Sequence, residues 1–211
     1  MRWSSEQESA LTAVADWLKT GDKPVFRLFG YAGTGKTTLA RHLAENVAGG
    51  TVFAAYTGKA AHVMRGKGCR GASTIHSLIY RMRGEDESGP TFVLNDDSAA
   101  GKAGLIIIDE CSMVDEEVGR DLLSFATPVL VLGDPAQLPP VAGGGFFTEA
   151  EPDVMLTEVH RQAADDPIVR LSMIVREGGR LDYGVYGESA VMPRREIEPE
   201  AVTAADQVLV G

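Results

Sequence analysis

Eight residues near the start of the chain, Gly30-Tyr31-Ala32-Gly33-Thr34-Gly35-Lys36-Thr37, set three glycines, a lysine and a hydroxyl in the spacing G-x-x-x-x-G-K-[ST]. Glycines so placed let successive backbone N–H groups curve around phosphate oxygens, and a helix starting there adds the partial positive charge of its N-terminus. Lys36 then has the reach for the β- and γ-phosphates of a nucleoside triphosphate, and the Thr37 hydroxyl for Mg²⁺. Gly30, Gly33, Thr34, Gly35, Lys36, Thr37 and Thr38 form the expected phosphate-holding set. A second group follows the apolar run Leu105–Ile108, where Asp109 and Glu110 stand side by side. A carboxylate at the end of a buried strand sits where open α/β sheets bind ligands. Asp109 is placed to hold the magnesium, and Glu110 to polarise an attacking water.

The elements that must position these groups are legible in the hydrophobic pattern. Residues 4–19 carry an amphipathic stripe of Ala10, Leu11, Val14, Trp17 and Leu18, with Ser4 or Ser5 as the N-cap. Apolar runs at 25–30, 51–56, 105–109 and 128–133 read as buried strands, and 37–48, 58–66, 73–82 and 118–126 as helices. Strands without polar alternation, interleaved with helices, predict an α/β fold: a parallel sheet with helices on both faces. Residues 84–104 are rich in Gly, Asp, Ser and Ala and read as a short excursion with room for a small hairpin. After Pro152 the chain changes character, with a helix expected over 167–178, a loop-rich acidic stretch over 179–200, and a strand near the end.

Composition narrows the classes further. No apolar run approaches the ~20 residues of a membrane helix, and the polar start lacks the apolar segment of a signal peptide. A cytoplasmic protein with no membrane partner is expected. The two cysteines, Cys69 and Cys111, provide neither a disulfide framework nor a four-ligand zinc site. The net charge of −10 opposes a nucleic-acid partner, but its distribution does not. Between Tyr56 and Gly84 lie Lys59, Arg65, Lys67, Arg70, Arg81 and Arg83 without one acidic residue, a local cationic face on an acidic body.

The pair Asp109-Glu110 followed by CSMVD, and then LVLGDPAQLPPV (130–141), resembles the superfamily 1 DNA helicases in their RecD-like and Dda-like branch. The resemblance implies a RecA-like P-loop NTPase that takes ATP and Mg²⁺ and acts on single-stranded DNA with 5′-to-3′ polarity. Gln7 matches the family's adenine-reading glutamine. Thr57 and Lys59 lie in YTGKAA (56–61), and Thr74 and His76 in STIHSL (73–78), which match its two DNA-contacting motifs. Arg161, in LTEVHRQ (156–162), matches the arginine that reaches the γ-phosphate from the second core domain. Gln137 lies just past another buried strand. Being neutral, it can both donate and accept, and so can sense a γ-phosphate. The excursion at 84–104 falls where relatives carry a strand-separating pin.

The family's later motifs, a threonine- and histidine-containing DNA motif and a final arginine, find no match after Arg161. The expected organisation is a RecA-like ATP-binding domain over 1–152 and the start of a second over 153–211. A missing domain or a second chain would complete the ATP site, and ATP hydrolysis without processive unwinding is expected. Two other readings remain open at this point. One is a nucleotide-gated DNA-binding module with negligible turnover; the other is a non-helicase AAA-type ATPase.

Overall fold

The computed structural model describes residues 3–86, 89–135, 137, 145–159 and 166–196. The chain divides into two compact units, 1–160 and 161–211. The first is built on six parallel strands: β1 (Val25–Gly30), β2 (Thr51–Ala55), β3 (Ser73–Thr74), β6 (Leu105–Asp109), β7 (Val129–Gly133) and β8 (Val154–Leu156). Their order across the sheet is β3-β2-β6-β7-β1-β8. Parallel neighbours put every carboxyl end on the same edge, so Gly30, Ala55, Asp109 and Gly133 all open there.

The apolar strands follow from burial on both faces. Leu105 and Ile107 pack on one side, against α1 (Ser5–Thr20), α2 (Lys36–Ala44) and α3 (Gly58–Gly66). Ile106 and Ile108 pack on the other, against α4 (Ile75–Ile79) and α5 (Glu116–Leu123). All four are fully buried, and each such side chain contributes roughly 1.5–3 kcal/mol. Helix ends are set locally. Ser4 caps α1 in a reciprocal capping box with Gln7, and Gly21 closes it in the left-handed conformation at φ 60°. Thr57 caps α3 and Asp115 caps α5 through their side-chain oxygens.

Three expectations shift in the folded chain. The helix expected over 73–82 starts at the Thr74 cap and stops at Ile79. Tyr80 turns extended and opens an antiparallel hairpin, β4 (Tyr80–Asp86) with β5 (Gly89–Leu94). The hairpin therefore starts ahead of residue 84 and ends well before 104; the remainder returns through a 3-10 turn at Ala99–Gly101. A long-range bond decides this, because the Tyr80 hydroxyl donates to Asp121 Oδ2 at 2.6 Å and holds the chain against α5. Finally, β8 belongs to the first sheet, beside β1, so the division between units falls after it and not at residue 152.

In the second unit, α6 (Pro167–Arg176) starts at the Asp166 cap, and a small hairpin pairs β9 (Gly184–Tyr186) with β10 (Ser189–Val191). That hairpin lies within the stretch expected to be loop. The strand expected near the end of the chain and Pro139-Pro140 lie outside the described residues. No helix among the described residues is long and apolar enough to cross a membrane.

Candidate nucleotide and DNA site

The phosphate loop leaves β1 at Gly30, and glycine is required there. A Cβ would come within 2.8 Å of Leu156 Cβ and its carbonyl oxygen and 2.9 Å of Thr34 Oγ1. Gly33 and Gly35 take φ of 80° and 84°, where side chains are strained, and Gly35 is the N-cap of α2. Thr34 is almost fully buried, its hydroxyl donating to the Tyr31 carbonyl at 2.9 Å. Lys36 lies within the loop and donates through Nζ to the carbonyls of Gly30 at 2.6 Å and Tyr31 at 3.0 Å. Thr38 is half-buried on the first turn of α2.

The two chemical groups expected from sequence meet. Thr37 Oγ1 donates to Asp109 Oδ2 at 2.9 Å, although 72 residues separate them. The other carboxylate oxygen of Asp109 accepts from the Glu110 amide at 2.9 Å. Glu110 itself is left-handed, at φ 56° and ψ 47°, a conformation that costs a non-glycine residue energy and is found disproportionately at functional sites. A hydroxyl and a carboxylate in contact make the oxygen donor set that suits Mg²⁺, which takes few protein ligands and completes its shell with phosphate and water. Cys111, next to this pair, is buried. Burial first, then the charges of Asp109 and Glu110, push its thiol up to about 12, so it stays neutral beside the carboxylates.

Gln137 extends the cluster: its Oε1 accepts from the Ser112 hydroxyl at 3.2 Å, and its amide donates to the carbonyl of the buried Asp134 at 3.0 Å. On the other side Gln7 is almost completely buried, with Nε2 donating to the Thr34 carbonyl at 3.0 Å and Oε1 accepting from the Ser4 amide at 3.1 Å. Gln7 thus ties α1 to the phosphate loop. Arg161 lies outside the described residues.

Two residues of this region stand outside the expected site set. Glu6 accepts from the Thr157 hydroxyl at 2.6 Å and from the amides of Thr157 and Glu158 at 2.8 and 2.9 Å. These bonds, the Thr157 hydroxyl foremost, hold its carboxyl below the usual range. They clamp the segment leaving β8 to the first turn of α1. Ser112 lies within the CSMVD run, but its pairing with Gln137 emerges only in the fold.

Farther along the same edge, the residues expected to meet DNA come together behind β2 and β3, where Ala55 pairs with Thr74. Thr57 and Thr74 use their hydroxyl oxygens as helix caps, accepting from Ala60 and Ser77 amides at 3.2 and 3.1 Å. Thr74 Oγ1 also lies 2.7 Å from the Ser77 hydroxyl. Lys59 is exposed. His76, also exposed, sits between Tyr56 and Tyr80, with ring centroids 5.8 and 5.7 Å away. This aromatic row was not expected, although His76 and Tyr80 stand at helical i, i+4 spacing.

Comparison with known proteins identifies relatives of the chain. The AAA domain family matches residues 2–189. The chain is similar to the ATP-dependent RecD2 DNA helicase of Deinococcus radiodurans, with 35% identity over 93% of this chain and 26% of that protein. It is also similar to the ATP-dependent DNA helicase dda of Enterobacteria phage T4, with 34% identity over 71% of this chain and 37% of that protein. Among solved structures, Pif1 helicases at forked double-stranded DNA match at TM-score 0.61 and 26% identity, over 85% of this chain and 49% of that one. Bacteroides Pif1 bound to single-stranded DNA matches at TM-score 0.61 and 25% identity, over 85% and 47%. The chain therefore spans between about a quarter and a half of the length of these relatives.

Proposed function

This chain belongs to the AAA domain family, and from that premise we propose that it is a helicase-type ATP hydrolase of the superfamily 1 RecD/Dda-like branch, the single-stranded-DNA-stimulated ATPase core of a 5′-to-3′ DNA helicase. The observation that carries the reading is the Thr37–Asp109 contact, which brings loop hydroxyl and strand carboxylate together as one magnesium site. Bound there with ATP, Mg²⁺ neutralises charge on the transferring phosphoryl group. The protein's own groups do the rest. Lys36 exchanges the Gly30 and Tyr31 carbonyls for phosphate oxygens. Glu110 takes the proton of the attacking water. Gln137 reports the γ-phosphate to Ser112. Gln7, buried at the start of α1 and bonded to the Thr34 carbonyl and the Ser4 amide, takes the adenine-reading role its motif implies. Arg161 supplies the transition-state cation, in the role its motif implies.

Thr57, Lys59, Thr74 and His76 grip the strand, the threonines by phosphate contacts that carry no sequence preference and His76 by stacking in line with Tyr56 and Tyr80. Hairpin β4–β5 exposes Met82 and Phe92 by 59% and 61% as a directly opposed cross-strand pair, suited to meeting unstacked bases. The unit after residue 160 opens the second core domain. Unwinding requires a second DNA-gripping domain, so the 211 residues alone turn over ATP without separating a tailed duplex.

Steady-state ATP turnover with and without single-stranded DNA tests this reading. DNA stimulation that Lys36→Ala abolishes is expected. Tight ATP binding with negligible turnover would instead make the chain a nucleotide-gated DNA-binding module. Unwinding by the monomeric 211-residue chain would overturn the division of labour.

A further inference from the structure

The basic stretch from Tyr56 to Gly84 does not all face the DNA edge. Arg70 follows α3 in the turn that faces Thr51, the first residue of β2, on the amino edge of the sheet. Four strand residues separate Thr51 from the carboxyl edge, about 13 Å. Here a cavity of about 490 Å³ opens between α2, β2 and the turn after α3, lined by Arg41, Glu45, Thr51, Phe53, Gly68 and Arg70.

Two of the lining residues hold unpaired polar atoms. Arg41 Nε and Thr51 Oγ1 are buried without a hydrogen-bond partner. Buried polar groups left unpaired carry a desolvation cost that an acceptor would relieve. Arg70 is exposed at the mouth, and none of the hydrogen bonds or ion pairs among the described residues engages it. Arg65, in the last turn of α3, is committed elsewhere, donating to the Ala72 carbonyl. The lining carboxylate, Glu45, is turned toward His42, its Oε2 lying 3.3 Å from Nδ1.

The backbone is also shaped around the guanidinium. Gly68 has φ +91°, and a Cβ there would come within 3.0 Å of Arg41 Nη1 and 3.2 Å of Cδ. A glycine in this conformation lets the turn close on the Arg41 side chain. Two guanidinium groups from separate elements plus a hydroxyl can surround a tetrahedral oxyanion, whereas a planar carboxylate is satisfied by one guanidinium alone.

We propose that this cavity is a second phosphate-binding site, distinct from the phosphate loop, in which Arg41, Arg70 and Thr51 hold one phosphate group. That group comes either from a nucleic-acid backbone or from a small phosphorylated molecule. The site stands independently of the helicase reading, because none of its residues belongs to the nucleotide or DNA motifs.

Titration of inorganic phosphate into the isotopically labelled 211-residue chain tests it, with the phosphate loop filled by ADP–Mg²⁺ or silenced by Lys36→Ala. Saturable shifts are expected at the Arg41 Nε–H and at the Gly68 and Arg70 amides. Arg70→Gln, at an exposed position, should weaken phosphate binding about tenfold, or 1.4 kcal/mol, and leave the remaining spectrum unchanged. Shifts reproduced by sodium chloride at equal ionic strength, or indifferent to Arg70→Gln, would overturn the proposal. A single-stranded oligonucleotide that competes for the same resonances supports a backbone phosphodiester as the ligand. Phosphate binding that the oligonucleotide leaves untouched supports the site with a small phosphorylated ligand.

Discussion

Behind β1 and β6 the residues at the carboxyl edge of the sheet are locked to one another. Thr37 bonds Asp109, Asp109 bonds the Glu110 amide, and Gln7 bonds the Thr34 carbonyl. Behind β2 and β3, on the same edge, Lys59 and His76 project into solvent, and the threonines are tied only to their own helix ends. The first arrangement fixes atoms to the tolerance a reaction needs, because small misplacements at a reacting centre are costly. The second suits a polymer that must be held and released, with each contact supplying a small part of the affinity. Substitutions should therefore act sharply in the first region and gradually in the second.

The largest expected effect is at Glu110. Replacing it with glutamine removes the base but keeps the shape and the amide bond to Asp109. Turnover should fall ~10²–10⁴-fold with ATP–Mg²⁺ binding retained. Rapid-quench turnover beside equilibrium nucleotide binding checks this; loss of binding in parallel would mean that Glu110 only supports the loop. Next comes Gly30→Ala, which presses a methyl group onto Leu156 and the Thr34 hydroxyl. Overpacking of this kind costs ~1–3 kcal/mol, and the displaced loop should lose about 10²-fold in catalysis. Urea unfolding and kcat together separate the two consequences. An alanine enzyme with unchanged kcat would show that the loop is not locked as described.

This contrast also governs how much was legible beforehand. The phosphate loop and the Asp109-Glu110 pair depend on backbone shape and short spacings, so a local motif contains most of their chemistry. The strands could be read because Leu105–Ile108 bury alternate residues on opposite faces and tolerate no polar position. The end of α4 could not, since helical spacing continues through Met82 and the chain is redirected by contacts remote in sequence, the Tyr80–Asp121 bond and the Asn95 amide on the Ile79 carbonyl. Gln137 was found, but its partner Ser112 was not, because their bond exists only after β6 and β7 align. For Thr57, Lys59, Thr74 and His76, residue type alone said little, and family resemblance carried the expectation.

In the second region Lys59→Ala should weaken single-stranded DNA binding only a few-fold. The dependence of log K on log salt should flatten by about 0.7, the value for one lost phosphate contact on a single strand. Fluorescence anisotropy at several salt concentrations measures both quantities, and ATP turnover without DNA should not change. A loss of DNA-free turnover would join the two regions into one locked unit. His76→Ala should act differently, lowering affinity through lost stacking while leaving the salt slope in place.

The smallest effect tests where the locked region ends. Glu6 joins α1 to the segment leaving β8 by three hydrogen bonds, across 151 residues of sequence. Its carboxyl is held below the ordinary range, chiefly by the Thr157 hydroxyl and then by the Glu158 amide. A lowered folded-state pKa means that the charged form favours folding. That contribution is present above the unfolded-state pKa and is lost as pH falls through the folded one. Wild type should therefore have a higher Tm than Glu6→Gln near neutral pH, and the gap should close on acidification through the carboxylate range. The clamp is exposed to solvent, so the gap itself should be small. Equal Tm values at every pH would place Glu6 outside the locked region. A gap that persists in acid would show that shape, and not charge, holds the segment to α1.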